Sequence, residues 1–311
     1  MFVKENSTEK ERKYAMSLKL VIVSALAVTS VWAQQSPIVG ETTTPISEHV
    51  WAIMGFPNIA IVAGSKATLV VDTGLGPKNG ATAAKVAEKL SAPNARLYLT
   101  TTHFHPEHAA GDAGFPASTI LIRDAAQQGE MEARGKEMVA MFASRNEQQK
   151  QLLSDVNLRM PDVLFTDEAS VDLGGVTVRL LWFGAAHTKG DELIFVEPDR
   201  TLISGDVVQN KVVPNIPMGG GSAASWLTVL DKVSELNAAH ILPDHSVPGD
   251  GSMVAQEKAF ISDVRSRALA LKQQGVDADQ AGKQISAEMK AKYADWPNTN
   301  VANFVKFIYS E

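Results

Sequence analysis

Thr100-Thr101-Thr102-His103-Phe104-His105-Pro106-Glu107-His108 is the stretch on which the reading of this chain turns. Three of the seven histidines and one carboxylate fall within six residues, directly after Arg96–Thr100, a run with strand character. Residues two apart on an extended chain point the same way, so His103 and His105 can grip one ion. After Pro106 the chain is expected to turn into a helix, which aims Glu107 and His108 at a second point nearby. Imidazole nitrogens and carboxylate oxygens suit zinc and other divalent first-row metals.

Outward from this stretch, the front half alternates strand and helix. Trp51–Phe56 and Ile59–Ala63 flank Pro57-Asn58 as a hairpin, and Thr68–Val71 runs into the turn Asp72-Thr73-Gly74. Residues 79–90 have helical periodicity. Between about 125 and 160 the composition shifts to Gln, Glu, Lys, Arg, Met and Ala, which reads as a helical insertion over one edge of the domain. Strand signals return at Val163–Phe165, Val176–Trp182, Leu193–Val196, Thr201–Ser204 and His240–Leu242. A helix over Ser222–Asn237, begun by Ser222 or Ser225, and a helical segment over about 252–311 complete the pattern. Two sets of strands with helices outside imply two sheets packed face to face inside helical layers.

Three metal-capable residues stand at strand-to-loop junctions further on. His187 lies in Gly184-Ala185-Ala186-His187-Thr188-Lys189-Gly190-Asp191, Asp206 ends Leu202-Ile203-Ser204-Gly205-Asp206, and His245 lies in Leu242-Pro243-Asp244-His245-Ser246. Such junctions let a sheet edge converge side chains on one site.

Composition bounds the alternatives. The 311 residues contain no cysteine, which excludes disulfide scaffolds, thiolate metal sites and cysteine nucleophiles. A formal charge of −6 argues against a general nucleic-acid binder. Lys19 precedes the apolar run Leu20–Val31, and Val31-Trp32-Ala33 supplies small residues for a signal peptidase. Residues 1–33 thus read as a secretory signal peptide, with Met16 a possible true start. Its twelve-residue core is short of the roughly 20 needed to span a bilayer. The mature chain, residues 34–311, is expected to be periplasmic or secreted, without stable membrane insertion.

Together these segments resemble the metallo-β-lactamase superfamily: the Asp72-Thr73-Gly74 turn, the His-x-His-x-acid-His signature, Gly-x-x-His-Thr-x-Gly-Asp, Ser-Gly-Asp and Pro-x-His follow in order. The resemblance implies an α+β fold, a four-layer αββα sandwich, with a dinuclear metal site at the sheet edge. It implies that His103, His105 and His187 hold a first metal, that Glu107, His108 and His245 hold a second, and that Asp206 bridges both. Asp72 and Asp191 would support the ligands rather than join them. Two Zn2+ ions are the expected cofactors, one Zn2+ or iron being the alternatives. Two ions sharing a carboxylate lie roughly 3.5–4 Å apart and suit a bridging hydroxide that attacks an ester, lactone, amide (β-lactam) or related bond of a small molecule. Glu107 and Asp206 are the residues expected beside that chemistry. The rival readings are an iron-dependent oxidoreductase of the same fold and a weakly active or non-catalytic metal-binding protein.

Two departures from the family pattern stand out. Glu107 replaces the usual aspartate, and Asp244 replaces the usual glycine before the last histidine; an aspartate there is expected to face solvent. Trp51, Met54 and Phe56 read either as an apolar flap beside the metals or as hairpin core, and Lys211 as a partner for a substrate carboxylate or as an exposed lysine. Met218-Gly219-Gly220-Gly221 reads as a mobile loop near the site, while His49 and His240 read as structural.

Overall fold

Apolar side chains fill both faces of the central strands, and that double burial dictates the layering. The computed structural model describes residues 36–216 and 220–311. The signal-like segment and Met218-Gly219 lie outside the described residues. One sheet holds β1 (Thr44–Pro45), β2 (Val50–Ile53), β3 (Ile59–Ala63), β4 (Ala67–Val71), β5 (Arg96–Thr100), β6 (Ile120–Asp124) and β7 (Val163–Phe165), in that spatial order. The first four strands pair antiparallel and β4 to β7 pair parallel. The crossover from β4 to β5 is made by α1 (Pro77–Leu90), as parallel pairing requires. The second sheet holds β8 (Glu168–Asp172), β9 (Thr177–Trp182), β10 (Glu192–Val196), β11 (Thr201–Gly205), β12 (His240–Pro243) and β13 (Gly249–Asp250). Only β11 and β12 pair parallel in it.

Val62, Leu69 and Val71 of the first sheet meet Val178, Leu180 and Ile194 of the second, forming the interior between the sheets. The alternate residues Ile61, Val70 and Leu99 face outward onto Ala83, Val86 and Ala87 of α1. On the far side Leu193, Phe195 and Leu202 pack under Trp226 and Val229 of α5 (Ala223–Glu235) and Phe260 and Val264 of α6 (Ser252–Gln273). Alternation along each strand thus produces the four-layer αββα sandwich. α7 (Ala278–Lys292) and α8 (Ala302–Ser310) extend the second helical layer through Ile285, Phe304 and Ile308.

Within the first sheet's chain segment stand α2 (Pro106–Ala109), between β5 and β6, and α3 (Ala125–Ala143) and α4 (Glu147–Leu152), between β6 and β7. α3 starts at Asp124, whose carboxylate accepts from the amides of Ala126 and Gln127. Met131, Met138 and Phe142 of α3 pack on Phe104, Ala109 and Leu75, which holds α3 over the histidine-rich loop. Helix stops at Leu152, short of the expected limit near 160. The cap of α5 is Ser222, whose hydroxyl accepts from the Ser225 amide while Ser225 closes a reciprocal bond. Strands β1, β6, β8 and β13 are additions to the elements read from the sequence.

Glu192 ties the two sheets at their shared end. Its amide donates to Thr102 O, and its carboxylate accepts from Thr100 Oγ1 and the Asp124 amide. Burial pushes this carboxyl up to about 8. A raised folded-state pKa stabilises the fold fully below the ordinary value of 4.5, and that contribution fades as pH rises through about 8. Denaturant unfolding at pH 5 to 8.5 should therefore show Glu192→Gln flattening the alkaline loss of stability by up to about 1.4 kcal/mol per pH unit. Parallel profiles for the variant and parent would contradict this.

Candidate metal centre

The site begins with a strained turn. Asp72, just after β4, is fully buried at φ 70°, a left-handed conformation that costs a non-glycine residue about 1–2 kcal/mol. Its carboxylate accepts from the Thr102 amide (2.7 Å) and hydroxyl, and its Oδ2 lies 3.0 Å from His108 Nδ1. This holds the loop after β5 against the end of β4. Pro106 then opens α2 at its first turn, with His105 in the extended conformation of a cap. His103 and His105 therefore leave from extended chain, and Glu107 and His108 from a helical turn.

The remaining donors arrive from the second sheet. His187 sits in the loop after β9, clamped by Asp191, whose carboxylate accepts from the amides of Ala186 and Thr188 and from the Thr188 hydroxyl. Asp206 follows Gly205, which has φ 55° and lies so close to Thr102 that an added Cβ would stand 2.8 Å from that residue's Cβ. That approach brings Asp206 up to the histidines. His245 follows β12, in a turn fixed by Asn58, whose side-chain amide donates to Pro243 O and Ser246 O.

All seven sequence-predicted donors come together. His103 Nε2 is 3.0 Å and His187 Nε2 is 3.3 Å from His105 Nδ1. His108 Nε2 and His245 Nε2 are 3.2 Å apart, with Glu107 in the same cluster. Asp206 stands between the groups, Oδ2 at 3.3 Å from His187 Nε2 and Oδ1 at 3.4 Å from His245 Nε2. Ligands about 2.0–2.1 Å from a tetrahedral zinc lie roughly 3.3 Å from one another, which is this spacing. His187 presents a lone pair inward. His187 Nδ1 lies 2.5 Å from Asn215 O, a pure acceptor, so its hydrogen is there and Nε2 is free. Buried Glu107 Oε2 has no hydrogen-bond partner among the described residues. An N/O donor set that leaves such an atom bare fits divalent metal ions.

Electrostatics follow from burial. Desolvation holds His103 and His105 well below the ordinary histidine range and lowers His245 to about 4. It pushes Glu107 up to about 7. Burial opposes charge on His108, but Asp72 and Asp244 outweigh it and raise its pKa well above the usual value. Asp206, although partly buried, is held well below the usual carboxylate range by His245, His187 and the other imidazoles.

Several roles differ from the sequence reading. Asp244 does not face solvent: it is 0% exposed, and its Oδ2 lies 3.0 Å from the Thr102 hydroxyl oxygen and 3.2 Å from His108 Nδ1. Burial and the Asp72 carboxylate push its pKa well up. Phe56 lies over His245, ring centroids 4.5 Å apart, whereas Met54 packs against the core between the sheets. Lys211 bonds Asp295. His49 bonds Asp199, and His240 is exposed at the start of β12. Gln209, unremarked in the sequence, donates to Asp206 Oδ1 (2.9 Å) and accepts from Ser246 Oγ (2.7 Å), linking two site loops. Its spacing of three from Asp206 was the one available signal.

Metal ligation requires Glu107 ionised and His108 Nε2 unprotonated, while His103, His105 and His245 are already neutral at pH 7. Loading metal-free protein with zinc near pH 7 should thus release protons from Glu107 and His108. Calorimetry in buffers of different ionisation heats should find more than one proton released per chain, with affinity climbing from pH 6 to 8. Glu107→Gln should reduce that release; affinity flat with pH would contradict the assignment.

Comparison with known proteins agrees with this architecture. The family model of the metallo-beta-lactamase superfamily matches residues 53–245. The metallo-beta-lactamase type 2 of Bacteroides fragilis is 20% identical over 262 residues, covering 79% of this chain and 96% of that protein. A stereoselective inverting sec-alkylsulfatase from Pseudomonas sp. superposes with a TM-score of 0.66 at 14% identity, covering 88% of this chain. This chain spans only 50% of the sulfatase. A metallo-beta-lactamase from Pontibacter korlensis gives a TM-score of 0.54 at 19% identity, covering 71% of this chain and 99% of its own. With that match, the sandwich and the ordered donor motifs, the chain belongs to the metallo-β-lactamase superfamily.

Proposed function

We propose that this protein is an exported, metal-dependent hydrolase that cleaves an ester, lactone, amide (β-lactam included) or related bond in a small molecule. The observation that carries the reading is the convergence of seven donors, three on either side of Asp206, beneath a cavity of about 390 Å³ that His105, Glu107, His187, Asp206 and His245 line. His103, His105 and His187 would hold one zinc ion, Glu107, His108 and His245 another, and Asp206 both. Two zinc ions, when bound, supply a water acidified to a pKa near 7 and a Lewis acid for the scissile oxygen.

The side chains supply the rest. Asp72 and Asp244 flank His108 Nδ1, and Asp72, the nearer at 3.0 Å, receives its hydrogen, which keeps Nε2 aimed inward. Asn215 does the same for His187. Gln209 restrains Asp206 from swinging away. Glu107 Oε2, bare and in the cavity wall, is placed to accept the proton of the attacking water and pass it to the leaving group. Phe56, Val213 and Phe142 line the cavity with apolar surface that limits water around the reacting atoms. Export rests on the signal-like residues 16–33 and would direct the enzyme to substrates met in the periplasm or outside the cell.

The test is metal content of protein purified without added metal, together with a panel of esters, lactones, β-lactams, sulfate esters and phosphodiesters. Zinc, with hydrolysis lost to a chelator and restored by zinc, is the expected result. Changes beside a metal ligand already cost 10–100-fold, so Asp206→Asn should lower kcat/KM by roughly 100-fold or more. Stoichiometric iron with oxygen consumption and no hydrolysis would overturn the reading in favour of an oxidoreductase. Inertness of both the parent and Glu107→Asp across the panel would favour a binding protein.

A further inference from the structure

The cavity over the donors is walled largely by apolar side chains, among them Phe56, Met138, Met141, Phe142 and Val213. Arg145 is the one lysine or arginine in its lining. It stands in the turn between α3 and α4, where its amide donates to Phe142 O and the next residue, Asn146, caps α4. Its guanidinium carbon lies 3.4 Å from the centroid of the Phe142 ring. Among the described residues this guanidinium has no carboxylate partner, unlike Lys211, which is committed to Asp295. A cation stacked on an aromatic face is oriented and already partly stripped of water, so adding an anion costs less than at a free lysine.

Position decides which part of a ligand it meets. Arg145 is exposed and lines the same cavity as His105, Glu107 and Asp206, so one small molecule can reach from the donors to the guanidinium. A group undergoing hydrolysis sits at the donors; Arg145 meets something further out. Its planar fork matches a carboxylate with two parallel hydrogen bonds. The apolar side chains that share the cavity with them call for a hydrocarbon body rather than a sugar or a polyol.

We propose that Arg145 anchors the substrate: the molecule that fits this site carries a carboxylate at one end, an apolar middle, and the scissile bond at the other end. This specificity rests on the hydrolase reading above, but the anchoring contact itself does not need turnover.

The test pairs substrates that differ only in charge: a hydrolysable aryl ester or β-lactam with a free carboxylate, and the same compound with that carboxylate as a methyl ester. In the parent, kcat/KM should favour the acid. Loss of a charge-assisted pair should cut this preference roughly 10- to 100-fold in Arg145→Gln. Arg145→Lys should keep part of it, and Arg145→Glu should invert it. A preference unchanged in Arg145→Gln, with an unaltered far-UV spectrum and unfolding midpoint, would overturn the anchor while leaving hydrolysis standing. Direct calorimetric binding of 3-phenylpropanoate, with 3-phenylpropanamide as the neutral control, separates the two claims. If the parent hydrolyses nothing yet binds the acid more tightly, and Arg145→Gln loses that margin, the hydrolase reading fails and the anchor stands. If the margin is absent from the parent or persists in Arg145→Gln, the anchor is wrong.

Discussion

One buried carboxylate, that of Asp72, holds the candidate centre in place. It sits in a backbone conformation that disfavours a side chain, and the cost is offset by three contacts, two to Thr102 and one to His108. Through Thr102 the same contact reaches the second sheet, because Thr102 O accepts from the Glu192 amide and its hydroxyl bonds Asp244. The loop that carries His103 and His105 is thereby fixed from three directions before any ion is considered. Local strain of this kind persists only where surrounding structure over-determines it, and here it is surrounded by the ends of β4, β5 and β12. The donors converge because the strand ends do.

How much of this was legible in the sequence depended on range. The segment His103–His108 declares itself through density, and His187, Asp206 and His245 through their places at strand ends. Strands with continuous apolar character, such as β3, β4 and β10, were equally plain, since every residue or nearly so is buried. β6 was harder: Ile-Leu-Ile is followed by Arg123 and Asp124, and charge normally signals a surface. Arg123 is nevertheless fully buried, with Gln128 and Asp112 around its guanidinium. β8 exposes most of its short length and buries only Val171 fully, which leaves little pattern to read. Asp244 was misplaced for a related reason. Its partner Thr102 lies 142 residues away in the chain, and no local rule reports such a contact. Phe56 and Met54, two residues apart, part company for geometric reasons: one leaves the hairpin towards His245 while the other stays with the interior.

The two helices between β6 and β7 are a different kind of structure from the strand ends. They supply Met138, Met141, Phe142 and, in the turn between them, Arg145 to the cavity, yet none of the seven candidate donors. Their grip on the frame is a compact apolar patch in which Met131, Met138 and Phe142 meet Leu75, Phe104 and Ala109. The cavity-lining residues of α3 and the candidate donors thus lie on separate lengths of chain, joined by that patch and by hydrogen bonds of Gln127 to Thr101 and of Glu130 to the amides of Lys189 and Gly190. A lineage can revise which molecules it admits by altering the cavity-facing side of α3, while the residues that would carry the reaction stay fixed. For the same reason, α3 and its following turn form a natural unit to exchange when a new specificity is wanted on an unchanged frame.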